Sequence, residues 1–484
     1  MTPGERSIFV QSLLVERGEA MGSLPTRRFL HYAIITHPAV PQILLVQGPA
    51  GWSLPRFESA EHYLGEVGYI NRAIREQFGI EVTVLRCVRN EFDAETATVR
   101  RIHEAENHTP HWTIPQHGKW VRQKELDDLT LAQPNHRAVL ESWFHEQETR
   151  REPRDGRDWT LSGWWEQAAA WIAQQLRQHG YGEILAIEQI KAWEFSCVLY
   201  VRTHAGTFYF KAAPRSLARE LTVTQRLAAL HPRQIPAVVA VETAHRWLLT
   251  RAARGSPLME VSDLSRWECA ADAYARLQID WIERTGELLA LGCPDRTLTK
   301  LAQEIDPLLA DTAALLPGQP QGLSAAEITQ LRARAPEFKA MCHELAQYAI
   351  PPSLEHGDLW GVNVIASEDS VTFIDWDEPC LAHPFFSLLE LTLSVGFQEG
   401  RSQVADARAR VRDAYLGPWT RYEPRDRLVR ACELSQQLAA LHLAANYRRW
   451  LPMIETVWDL RELIPFFLKL LVNKEGGQWH GSAD

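Results

Sequence analysis

Apolar and polar positions along the 484 residues change their period twice. In the first stretch, 28–36 and 43–47 read as strands and 60–78 as a helix. Two more strands, 82–92 and 96–106, and a helix over 135–148 complete it. Residues 148–158 then break the pattern: Glu148, Arg150, Arg151, Glu152, Pro153, Arg154, Asp155, Gly156, Arg157 and Asp158 bring charge and turn formers but no apolar side chain. That composition predicts a solvated linker. Beyond it, 183–187, 197–201 and 207–211 are rich in β-branched and aromatic residues and read as strands. A helix over 216–230 follows, with Leu217, Leu221 and Leu227 along one side. From there the spacing is helical over 267–280, 282–290, 298–316 and 325–349, broken at Pro317-Gly318-Gln319-Pro320. Further helices are predicted over 403–415, 425–447 and 455–473. The expected organisation is α+β and multidomain, divided as 1–148, a linker at 149–158, 159–255 and 256–484.

Composition narrows the class. Hydrophobic residues at 45% and charged residues at 23% are ordinary for a globular protein. No apolar run approaches the about 18–20 residues of a membrane span, and Glu5, Arg6, Glu16 and Arg17 interrupt any signal-peptide layout. Seven scattered cysteines without a C-x-x-C read as reduced, mostly buried thiols, so the expectation is a cytoplasmic protein without a zinc site. A net charge of −10 argues against a nucleic-acid surface.

The chemistry concentrates late in the chain. His356-Gly357-Asp358 is followed by Asn363, which leads into one apolar run, and Asp375 ends the next in Phe373-Ile374-Asp375-Trp376-Asp377. Phosphoryl transfer needs a carboxylate to orient the attacking hydroxyl and take its proton, and oxygen ligands for the magnesium on the nucleotide. Asp358, Asn363 and Asp375 are the right types in the right order.

This pattern resembles the aminoglycoside phosphotransferase and choline kinase family, relatives of the protein kinases, in which the matching string is H-R-D-x4-N and then D-F-G. The resemblance covers the C-terminal two thirds and implies a bilobal protein-kinase-like domain with a largely helical C-lobe. It implies Asp358 as catalytic base, Asn363 and Asp375 as magnesium ligands, and Asp377 as a secondary metal or substrate candidate. Gly357 replaces the Arg that reads activation-loop phosphorylation, which implies no control by that route. Residues 159–255 become the ATP-binding N-lobe, with Lys211 on the nucleotide phosphates and paired with Glu220. Between the first two strands, Lys191 to Ser196 contains no glycine; the resemblance implies phosphate contacts from backbone N–H groups and the Ser196 hydroxyl, although Ser196 reads equally well as a strand-initiating residue. Trp247 to Gly255 resembles the strand and hinge that hold adenine. His356 is expected to brace the loop, and His442, Tyr447, Trp450 and Trp458 are candidates for lining an acceptor pocket. The implied activity is transfer of a γ-phosphoryl group from ATP, or GTP, with Mg2+ to a hydroxyl of a small molecule such as an aminoglycoside, amino alcohol or sugar, without nucleic-acid or membrane partners.

The N-terminal region resembles a Nudix domain, an α/β/α sandwich whose motif is G-x5-E-x7-R-E-U-x-E-E-x-G-U. Arg72, Glu76, Gly79 and Ile80 fit it, whereas Ala73 and Gln77 stand where clustered glutamates belong. Leu64 falls on the upstream glutamate, with Glu61 and Glu66 close by. One carboxylate is a poor site for a hard dication, so this domain is expected to be non-catalytic and to bind a ligand, a partner or the kinase lobe. Two alternatives stay open: a nucleotide-binding sensor or scaffold without transfer, and a bifunctional enzyme with an active diphosphate hydrolase domain.

Overall fold

The computed structural model describes residues 28–472, apart from 61, 62, 64, 94, 110, 150, 151, 399–402 and 457. It divides into two compact units: among the described residues, 28–218 with 239–251, and 219–238 with 252–472.

The first unit holds two sheets. β1 (Arg28–Thr36), β2 (Ile43–Gly48), β3 (Gly51–Ser53), β4 (Arg56–Glu58), β5 (Val82–Asp93), β6 (Thr98–Asn107) and β7 (Gly118–Val121) form a mixed sheet with the path β3-β2-β1-β6-β5, in which β1 and β6 run parallel. Strand alternation on β1 sets the layers. Tyr32 and Ile34 face the helix His136–Thr149 and pack with Val139, Leu140, Trp143 and Phe144. Ala33 and Ile35 face the other way, with Ile70 and Ile74 of the helix Gly68–Phe78. The second sheet has the order β11-β12-β10-β9-β8, from β8 (Ile184–Ala192), β9 (Cys197–Thr203), β10 (Gly206–Ala212), β11 (Val238–Glu242) and β12 (Trp247–Arg251). Its inward residues Leu199, Phe208, Phe210 and Leu249 belong to the same core as Ala33, Ile35 and Ile74, joined by Trp159, Trp164 and Ile172 around the helix Trp164–Gln178.

Two expectations are corrected here. The helix expected over 60–78 starts at Gly68. Gly65 takes φ +105°, and Glu66 forms an antiparallel bridge with Lys191, so the chain before the helix is drawn out along β8. The helix then ends at Gly79 in the left-handed region, a conformation glycine adopts at little cost. The second correction concerns the solvated linker. Ser216 Oγ donates to Asp155 at 2.6 Å, and Arg246 Nη2 donates to the Gly156 carbonyl at 2.6 Å and to Asp158 at 3.1 Å. Arg157 and Trp159 are buried. Asp155, Gly156 and Asp158 thus enter internal pairs, while Glu152 and Arg154 are exposed, so the segment is solvated only in part.

The second unit is largely helical, with Leu264–Trp281, Leu298–Ala310, Ala325–Leu345, Ser387–Phe397, Val404–Leu416 and Arg425–Trp450 as its long helices. Pro307 and Pro336 are tolerated inside two of them. Small strands carry its functional loops: β13 (Ser256–Pro257), β14 (Ser353–Glu355), β15 (Val364–Ala366), β16 (Val371–Phe373) and β17 (Cys380–Ala382). No helix among the described residues is long and apolar enough to cross a membrane. All seven cysteines are free thiols, and five of them are buried.

Candidate active site

Two antiparallel pairs bring the sequence motifs together. β14 pairs with β17, placing Glu355 opposite Cys380, and β15 pairs with β16, placing Val364 opposite Phe373. The loops leaving β14 and β16 therefore meet. Gly357, at φ +82°, makes this possible: a Cβ there would lie 2.4 Å from the Glu378 carbonyl oxygen. Asp375 is itself in the left-handed region at φ +64°, strain of the kind that clusters at functional positions.

Asn363 is the hub. Its Nδ2 donates to Asp358 Oδ2 at 2.7 Å and to the Asp358 carbonyl at 2.8 Å. Its own carbonyl accepts from Ile374 N at 3.0 Å, which fixes the approach to Asp375. The amide nitrogen is thus committed to Asp358, and Oδ1 is the atom of the side chain that can meet a cation. His356 braces the two loops as expected. Its Nε2 lies 3.0 Å from the Ile374 carbonyl, which can only accept, so this nitrogen carries the proton. Its backbone N donates to Tyr274 Oη at 3.0 Å.

The electrostatics are those of crowded carboxylates. Burial first, then Asp377, Asp375 and Glu378, push the half-buried Asp358 carboxyl well above the ordinary range, against the hydrogen bond from Asn363. Glu378 is pushed up to about 7 by burial, opposed by Arg296, whose Nη1 lies 3.4 Å away. A divalent cation answers such a cluster chemically, because it favours every ionised carboxylate around it. Asn363 Oδ1, Asp375 and Asp377 are hard oxygen donors of the type magnesium takes.

Glu390 escaped the sequence reading. It is fully buried in Ser387–Phe397, and its Oε2 accepts from Leu359 N at 2.7 Å, directly after Asp358. Ser394 Oγ accepts from Gly361 N at 3.0 Å. The available signal was a lone glutamate inside the apolar run Leu388-Leu389-Glu390-Leu391. Of the acceptor-pocket candidates, His442 is a core residue, 3.2 Å from Asn446 Nδ2 and against Phe386. Tyr447 stacks on Phe467, and burial together with the nearby Asp358 and Glu390 raises its phenol. Trp450 is half-buried, and the side chain of Trp458 lies outside the described residues.

In the first unit, Lys211 is half-buried near the end of β10, between Val198 and Leu248 of its neighbours. Ser196 is buried, and its Oγ accepts from Trp193 Nε1 at 2.9 Å. Glu220 is buried in the first turn of Arg219–Leu230, which belongs to the second unit. Glu76 is exposed on its helix, and Glu61 and Leu64 lie outside the described residues. Among the described residues, the one trio of ligating side chains within 4.8 Å of one another is Glu106, His108 and Glu166, without Glu76. Glu106 there accepts from Gly163 N at 2.8 Å and His108 Nδ1 faces Glu166 at 3.0 Å, while burial pushes the Glu106 carboxyl up to about 7 and the His108 imidazole down.

Fold and site together define a kinase-like phosphotransferase with a helical C-terminal part. The model of the phosphotransferase enzyme family matches residues 186–427, half of the chain, and the protein belongs to that family. No curated protein matches the sequence. Among solved structures, a choline kinase from Cryptosporidium parvum is similar at 13% identity and TM-score 0.47, over 64% of this chain and 95% of its own. An ethanolamine kinase from Plasmodium vivax is similar at 13% identity and TM-score 0.44, over 61% and 84%. A choline/ethanolamine kinase family protein from Mesorhizobium loti is similar at 17% identity and TM-score 0.43, over 64% and 96%.

Proposed function

We propose that the protein transfers the γ-phosphoryl group of ATP, with GTP as the alternative donor, to a hydroxyl of a small molecule such as an amino alcohol, an aminoglycoside-like compound or a sugar. The observation that carries this reading is Asp358 held through its side chain and carbonyl by Asn363, whose own carbonyl accepts from Ile374 N, next to Asp375. Asp358 orients the acceptor hydroxyl and takes its proton as the new O–P bond forms and the bond to the β-phosphate oxygen breaks. Asn363 and Asp375 would hold magnesium, which supplies charge neutralisation on the phosphates when bound. Lys211, paired with Glu220, would hold the α- and β-phosphates, and Ser196 with the 191–196 backbone would cover them. Most of the rate gain comes from positioning. The N-terminal sheet is read as non-catalytic, because among the described residues Glu76 belongs to no cluster of three metal-ligating side chains.

The test is a screen of hydroxyl acceptors with ATP or GTP and magnesium, reading ADP or GDP release and the phosphorylated product by mass. Acceptor-dependent product that disappears in Asp375→Ala supports the reading. Undiminished turnover in that variant ends it.

A further inference from the structure

The turn that would cover the phosphates has no glycine, yet it is heavily supported from one side. β8 is the edge of its sheet and β5 the edge of the other. Each has two register irregularities, and one of each faces the other: β5 between Val84 and Arg86, β8 between Gln189 and Lys191. There the buried Gln189 side chain acts as a missing strand. Its Oε1 accepts from Val84 N at 2.8 Å, and its Nε2 donates to the Val84 carbonyl at 2.8 Å. Asn71 Nδ2 adds a third bond at 3.2 Å. One residue further, the Ile190 carbonyl accepts from Val67 N at 3.1 Å, and Ala192 N donates to the Gly65 carbonyl at 2.7 Å. These bonds run straight into the turn. Trp193 N donates to the Ser196 carbonyl at 3.0 Å, Trp193 Nε1 reaches Ser196 Oγ, and Lys191 Nζ sits 4.2 Å from the indole centroid. The indole lies against Gly65, where a Cβ would stand 3.2 Å from its carbons.

We infer that Gln189 is a positioning residue for nucleotide binding: by joining β8 to β5, it makes the N-terminal sheet the template that fixes the 191–196 turn in its phosphate-covering shape. This rests on the proposed function. A glycine-rich loop binds phosphate by adapting to it and loses conformational freedom on doing so. A turn already fixed by bonds such as those of Ala192 N and Trp193 N holds the rest of its backbone in place without that loss, which removes the need for glycine. The N-terminal domain then contributes affinity for a ligand it does not touch.

The experiment uses the full chain with Gln189→Leu, which keeps the apolar stem and removes the amide. Stranding both Val84 groups and freeing the turn is expected to raise the nucleotide KM and Kd about tenfold with kcat within about twofold. A merely structural role would instead lower the active fraction, hence apparent kcat, at unchanged KM, and that result overturns the inference. If the variant does not fold, hydrogen exchange in the wild type decides. The Ala192 amide is expected to be protected without nucleotide, and free exchange there overturns the proposal. Absence of nucleotide binding by the wild type itself would overturn the phosphotransferase reading and this inference with it, whereas equal binding by wild type and variant overturns the inference alone.

Discussion

The loop carrying Asp358 and the turn carrying Ser196 are both short and irregular, but they are held in opposite ways. The Asp358 loop is fixed from within its own unit by residues close in sequence, Asn363 and His356, with Glu390 of a neighbouring helix behind it. The Ser196 turn is fixed largely by bonds to residues more than a hundred positions earlier, Gly65, Val67 and Val84. Where the proposed chemistry would occur, strain and like charge are concentrated and internally braced. Where a ligand would be covered, the backbone is neutral and externally braced. The first arrangement is damaged at the loop itself; the second is damaged at a distance, where Gln189 joins the two sheets.

The largest expected effect falls on the first region. Asp358→Asn keeps the shape and the Asn363 neighbourhood but removes the proposed base, and should cut kcat about 10²–10⁴-fold, with Asp375→Ala lower still. Steady-state kinetics on any accepted substrate checks this, and near-normal turnover would remove Asp358 from the chemistry. Gly357→Ala comes next. The Glu378 carbonyl stands where its Cβ must go, and φ +82° is costly for alanine, so a loss of about 1–3 kcal/mol in urea unfolding is expected. Displacing Asp358 should also cost about 10²-fold in activity. A variant as stable and active as the wild type would show that the two loops separate freely.

The smallest effect tests the buried charge behind the loop. Glu355 is held by Ser387 Oγ and faces Gln278 Nε2, and burial pushes its carboxyl up to about 8. An unfolded glutamate releases its proton near pH 4.3, so the folded state holds this proton more tightly. That contribution to stability is complete below about pH 4 and fades as pH rises to about 8. Glu355→Gln cannot titrate, and its urea midpoint should therefore fall less across that interval than the wild type's. Identical pH slopes would mean that Glu355 ionises without penalty.

Local grammar made one region legible and not the other. His356, Asp358, Asn363 and Asp375 lie within twenty residues, and a strand period plus a turn suffices to bring them together. Strand 207–211 and the helices expected over 267–280, 325–349 and 425–447 were likewise readable, because apolar side chains recur along the buried face of each. Glu390 was not, since a glutamate in an apolar helix reveals its partner only when Leu359 N is placed beside it. The seam was invisible because Gln189 is an ordinary polar residue until Val84 lies opposite. Residues 148–158 were legible in part: Glu152 and Arg154 are exposed, whereas Asp155 and Asp158 reveal their partners only when Ser216 and Arg246 are placed beside them.

The shared core around Trp159 and Trp164 bears on how such a protein can be inherited and produced. A gene trimmed to the stretch that matches the family would encode β9, β10 and β12 without the partners of Leu199, Phe208 and Leu249. Those side chains would meet water on a newly made sheet face, and exposed apolar faces invite self-association. Such a product would collect as aggregate, not as a smaller working enzyme. A replacement for the N-terminal region would have to cover the same apolar face.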